Sequence, residues 1–162
     1  MPNIYYGIDP GVSNCAVVEF EPPNKIGCRL LGNQEDILET LEGMSLEWDI
    51  NSQSGYRPII CIEKPSPMGV PLSNALVDTC MWTGKVQYLA QKQGLEVMLI
   101  TPQKIKSIVC GTSRAKDKDR RKHLIDLIGG TKKGEPCHGL KSHLWAALSV
   151  AVSAHYLLDR NV

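Results

Sequence analysis

Residues 3–20, NIYYGIDPGVSNCAVVEF, set two β-rich runs back to back at the start of the chain. The first, residues 3–9, and the second, residues 14–20, are separated only by Pro10-Gly11-Val12-Ser13, a tight-turn sequence. Residues 27–32 (GCRLLG) supply a third strand, so the chain is expected to begin as an antiparallel meander. Residues 34–42 then place Ile37, Leu38 and Leu41 at helical spacing, with acids in the first turn where they favour the helix dipole. Residues 43–57, rich in Ser, Asn, Gly and Gln, read as a loop.

The next strand, 58–63 (PIICIE), is apolar almost throughout, as expected of a strand covered on both faces in an α/β sheet. Pro65, Pro67, Gly69 and Pro71 enforce an irregular loop over 64–72. Beyond it the pattern predicts a long helix over 73–93, a strand over 95–100 and a short helix from Pro102 to about 109. A basic amphipathic helix over 114–128, a loop over 129–141 and an apolar final helix over 142–158 complete the chain. Three meander strands followed by alternating strands and helices predict one three-layer α/β domain with a mixed five-stranded sheet.

The chain has 162 residues, enough for one domain with its own core, and 43% hydrophobic against 22% charged residues fits a globular protein. Its apolar runs fall short of the roughly 18–20 residues that span a bilayer, so no membrane partner is expected. No secretory signal is recognisable at the start. Cys15, Cys28, Cys61, Cys80, Cys110 and Cys137 are scattered singly with no CxxC pair, and are expected to be free, mostly buried thiols. The net charge of +1 conceals a split. Residues 1–103 carry six basic and twelve acidic side chains, for −6, whereas residues 104–162 carry twelve and five, for +7. Such polarity points to a polyanion, or to a solvated charged helix.

Three residue types in this frame carry chemistry. Asp9 ends the first strand before a Pro-Gly turn, either capping that turn or ligating a metal. Glu63 ends the apolar strand, where a charge needs a partner, a metal or solvent. If the two strands are neighbours, the two carboxylates stand side by side, and a divalent cation resolves their repulsion. His143 opens the last helix, where it is either structural or a ligand; position 146, one turn on along the same face, is Ala146 and offers no donor.

The ordered set of Gly7-Ile8-Asp9-Pro10-Gly11, Ile62-Glu63 and Ser142-His143-Leu144-Trp145-Ala146-Ala147-Leu148 resembles the RuvC-like Holliday-junction resolvases of the RNase H-like superfamily. Pro102-Gln103-Lys104-Ile105-Lys106, with Gly111 and Ala115, is similar to that family's DNA-contacting segment, and Trp82-Thr83-Gly84 resembles its phage and chloroplast members more than the standard bacterial enzyme. The resemblance covers nearly the whole chain. It implies an RNase H-like three-layer fold with helices on both sheet faces. It also implies an endonuclease that resolves four-way DNA junctions in recombination and repair, using two Mg²⁺ ions, or Mn²⁺, per site.

Asp9, Glu63 and His143 match the family's ligand positions, while Ala146 stands where an aspartate is expected. The chain is therefore expected to be an inactivated form, through engineered replacement or as a natural binding-only relative. Glu135 is a conceivable substitute with no geometric argument behind it. Lys104, Lys106, Arg114, Lys116, Lys118, Arg120, Arg121 and Lys122 are expected to meet DNA phosphates, the last three alternatively forming a solvated helical face. Met68, in the loop after Glu63, is the candidate wedge between bases.

The two-fold symmetry of a four-way junction implies a homodimer through the long helix, where Met81, Trp82 and Tyr88 are either interface or core. The expected setting is bacterial or phage-infected cytoplasm, or an organelle if a transit peptide has been removed. The rival readings are a non-catalytic branched-DNA-binding protein, an RNase H-type nuclease acting on RNA–DNA hybrids, and a nucleotide-binding lobe of the actin/sugar-kinase kind.

Overall fold

The computed structural model describes residues 1–159, with the side chains of 45–47 and 49–52 set aside. The opening run folds as β1 (Asn3–Pro10) and β2 (Cys15–Glu21), which pair antiparallel, and β3 (Lys25–Gly32) adds antiparallel to β2. Helix α1 (Gln34–Gln53) leads to β4 (Arg57–Glu63), which pairs parallel with β1 on its other side. Helix α2 (Asn74–Lys92) leads to β5 (Glu96–Ile100), parallel to β4. The sheet order is β3-β2-β1-β4-β5, the mixed five-stranded sheet expected. Helices α3 (Pro102–Cys110), α4 (Asp117–Ile128) and α5 (Leu144–Asp159) follow.

Alternation along the strands sends side chains to two cores, one on each sheet face. Tyr5, Val18, Phe20, Ile59 and Cys61 face α3, α4 and α5. Ile4, Tyr6, Ile8, Val17, Ile60 and Ile62 face α1 and α2. β1 and β4 are buried on both faces, which is why their sequences are apolar almost without interruption.

Several boundaries differ from expectation. The stretch 43–57 is not a loop: α1 runs on to Gln53 and β4 begins at Arg57. Ile37, Leu41, Met44 and Trp48 continue one buried helical stripe, and the Trp48 ring meets Tyr6 edge-on at 5.8 Å. This tertiary anchor outweighs the polar composition between them. Helix α4 starts at Asp117 and not at 114, with Lys116 N–H donating to the Asp119 carboxylate at 3.0 Å. Helix α5 starts at Leu144, so His143 lies just ahead of it and accepts from Ala147 N–H at 3.0 Å as a capping position. Ser142 beside it takes a φ of 50°.

The six cysteines are free; Cys15, Cys61 and Cys137 are buried, Cys28 and Cys110 half-buried, and Cys80 exposed. Among the described residues no helix is long and apolar enough to cross a membrane.

The tightest fit in the fold is the seat of α5 on β1. A Cβ placed on Gly7 would run into the Ala147 carbonyl and lie 2.7 Å from Ala151 N and 2.9 Å from Ala151 Cβ. Only glycine admits the helix at this approach. Gly7→Val is expected to destabilise the protein by about 3 kcal/mol or more, read from urea unfolding. A change within about 0.5 kcal/mol, the range of ordinary surface substitutions, contradicts this packing.

Candidate metal centre and nucleic-acid cleft

The parallel register of β1 on β4 sets Ile8 beside Ile62, which brings Asp9 and Glu63 to neighbouring strand ends. The Pro-Gly turn that follows Asp9 and the proline-rich loop that follows Glu63 leave both carboxylates at the mouth of the sheet, not within it. His143 reaches the same place from α5: its Nδ1 lies 2.7 Å from Asp9 Oδ2. These three residues and Ala146 line one cleft of about 760 Å³.

The Asp9 and Glu63 carboxyls are mostly withdrawn from solvent. Burial pushes the Glu63 carboxyl up to about 7, and the Asp9 charge beside it pushes the same way, while Arg120 and Lys106 oppose them. Burial likewise raises Asp9, against the hydrogen bond and charge of His143, which favour its ionised form. Both carboxyls thus sit where an added cation is favoured.

Oxygen donors of this kind suit a hard divalent cation such as Mg²⁺ or Mn²⁺, and an imidazole extends the set. Among the described residues, however, no three His, Cys, Asp or Glu side chains converge closely enough to hold an ion. Ala146, which borders the cleft, adds no donor. The residues present therefore supply only part of a coordination shell, with Asp9 and Glu63 as its oxygen donors.

The basic residues divide. Lys106, Lys118, Arg120 and Arg121 line the cleft; Lys104, Arg114 and Lys116 do not, though all three are exposed. Of the neighbours Lys116 and Lys118, it is Lys118 that faces the carboxylates' cleft. Arg120 is not part of a solvated face: its side chain is only 13% exposed and pairs with Asp117 at 2.9 Å. The Arg121 guanidinium stacks 5.0 Å from the centre of the Trp145 ring, a cation–π contact joining α4 to α5. Lys122 is exposed and does not line the cleft. Glu135 is used locally, accepting from Lys132 N–H at 2.7 Å, and is no part of the cleft.

Met68 stands at the cleft border, 55% exposed, with a φ of 51° in a loop that also exposes Val70 and Leu72. On α2, Met81 and Tyr88 are exposed whereas Trp82 is buried and belongs to the core.

Sequence reasoning missed Asp117, Thr79 and Trp145 as cleft residues. The i, i+3 spacing of Asp117 and Arg120 was a readable signal. For Thr79 no local pattern exists, because its partner Gln34 is 45 residues away.

The raised Glu63 carboxyl makes stability depend on pH in a defined direction. Its ordinary value is 4.5 and its folded value about 7, so the folded protein holds the proton more tightly than the unfolded chain. The cost of ionising it grows as pH rises from 4.5 to 7 and is complete above that window. In metal-free buffer, Glu63→Gln is expected to stabilise the protein at pH 8 by on the order of 3 kcal/mol and to give no gain at pH 4. Equal urea midpoints for the two proteins at pH 8 contradict the burial of this charge.

No protein-family model and no curated protein sequence matches the chain. Among solved structures it is similar to Thermus thermophilus RuvC, with a TM-score of 0.70 at 19% identity over 98% of this chain and 96% of that one. It is similar also to T. thermophilus RuvC in complex with Holliday junction substrate, with a TM-score of 0.73 at 16% identity and the same coverage. At such identities the likeness speaks to architecture: the chain has the α/β, RNase H-like fold of the RuvC structures.

Proposed function

We propose that this protein is a RuvC-like, structure-selective DNA-binding nuclease scaffold whose substrate is the four-way junction, and that Ala146 leaves the chain able to bind but not to cut. One observation carries the reading. Asp9 and Glu63 stand at the ends of neighbouring parallel strands, with His143 held on Asp9, in a cleft bordered by Lys106, Lys118, Arg120 and Arg121. The similarity to a RuvC bound to Holliday junction substrate supports the choice of DNA.

Asp9 and Glu63 are the residues that would hold a divalent cation, with His143 beside Asp9 and an aspartate at position 146 needed to complete a set for two. When bound, such ions supply the activation of water and the charge stabilisation that in-line phosphodiester cleavage needs. The protein's own part is electrostatic and geometric. Lys106 and Lys118 draw the phosphate backbone over the carboxylates, and Arg120 offsets part of their charge before DNA arrives. His143 fixes the Asp9 carboxylate through its Nδ1 contact. Met68, exposed on its strained turn, is the side chain that would enter between unstacked bases. The exposed Val77, Met81 and Tyr88 on α2 supply the contact for a second copy, which gives the paired cuts a symmetric junction requires.

A binding-only protein is the second reading, and it is favoured by the same alanine. The discriminating experiment offers the parent chain and Ala146→Asp a four-way junction, a linear duplex and an RNA–DNA hybrid, with and without Mg²⁺. The proposal predicts that both proteins bind the junction, and that only Ala146→Asp cuts it and only with Mg²⁺. Equal cleavage by both proteins overturns the role of position 146. Preferential cutting of the hybrid replaces the junction by an RNase H-type substrate, and junction binding without cleavage by either protein leaves a binding module.

A further inference from the structure

Pro10, the residue after Asp9, is held by a group that the sequence gives no reason to single out. Gln34, the first residue of α1, is buried. Its side-chain Nε2 donates to the Pro10 carbonyl at 3.0 Å and to Thr79 Oγ1 of α2 at 3.0 Å. Its backbone is tied as firmly. Gln34 N–H donates to the Val12 carbonyl at 3.2 Å, and its own carbonyl accepts from Trp82 Nε1 at 2.6 Å. One residue thus joins the turn after Asp9 to both helices of the α1/α2 layer.

The latch is also a wall. Pro10 and Thr79 border the carboxylate cleft, whereas Gln34, Val12 and Trp82 border a separate hollow of about 630 Å³. Gln34 therefore does not reach into the cleft; whatever it does there passes through Pro10, the residue bonded to Asp9. Pro10 cannot donate a hydrogen bond, so its carbonyl is its only backbone handle, and Gln34 holds it. Ligand side chains tolerate displacements of only about 0.5 Å before a site loses function.

We infer that Gln34 is a positioning residue that sets the Asp9 carboxylate for cation binding by clamping the Pro10 carbonyl against Thr79 of α2. The inference rests on the metal-centre reading above. It adds a polar tie at the end of the first ligand strand to the apolar packing of α2 on β1.

Gln34→Met keeps the volume and both backbone bonds while removing the Nε2 donor. Thr83→Ala serves as control, since the Thr83 hydroxyl donates to the Thr79 carbonyl within α2. Mn²⁺ affinity, measured by calorimetry well below the unfolding temperature, is expected to fall roughly tenfold or more in Gln34→Met and to stay unchanged in Thr83→Ala. In metal-free protein the ring ¹⁵N resonances of His143, which report its contact with Asp9, are expected to move in Gln34→Met and not in Thr83→Ala. A merely structural role lowers thermal stability but leaves both readouts in place, and that result overturns the inference. If the parent binds no Mn²⁺ the metal-centre reading fails, and the His143 resonances still decide whether Gln34 positions Asp9.

Discussion

The contact of α5 with Gly7 governs the geometry of the site. Gly7 lies two residues before Asp9 on β1, and Ala147, whose carbonyl occupies the space of the missing side chain, lies four residues after His143. Ala147 N–H in turn donates to the His143 carbonyl. A single backbone-to-backbone approach therefore fixes how far the start of α5 stands from the end of β1, and with it the 2.7 Å contact between His143 and Asp9. The alanines and serines of α5 permit that approach, and close packing makes it costly to relax.

The same seat explains the electrostatics. Pressing α5 onto the sheet removes water from the strand ends, which raises both carboxyls, and the parallel pairing of β1 with β4 sets their charges against each other. The basic second half of the chain is arranged around this demand. Arg120 and Lys106 lower the cost directly, while Lys118 and Arg121 extend positive charge along the cleft. At the cleft, the two strand-end carboxylates thus face a basic rim, an arrangement suited to a polyanion that arrives with its own cations.

Local pattern was enough for much of this. The Pro-Gly turn between two β-rich runs announced the meander, and the apolar 58–63 run announced a central strand with Glu63 at its end. Neighbouring ends for Asp9 and Glu63 were expected only if the two strands were adjacent, and the parallel pairing of β1 with β4 supplies that adjacency. Features resting on distant partners were not legible. Helix α1 continues to Gln53 because Trp48 finds Tyr6, across 42 residues of chain. Gln34 looked like an unremarkable first helical residue, since Pro10 and Thr79 meet it only in the fold. Which of two neighbouring lysines lines the cleft was not legible either: Lys118 does, and Lys116, the N-cap of α4, does not. Exposed Met81 and buried Trp82, adjacent in sequence, show the same limit on α2.

The central claim is that this cleft is built for branched DNA, and competition binding tests it most directly. A labelled four-way junction is bound to the parent chain in Mg²⁺ and challenged with unlabelled junction or with linear duplex of the same sequence and length. The account predicts that the junction displaces the label at far lower concentration than the duplex, and that this preference is lost when Lys106, Lys118 and Arg120 are replaced together by alanine. Equal displacement by junction and duplex, or a preference that survives the triple replacement, contradicts it.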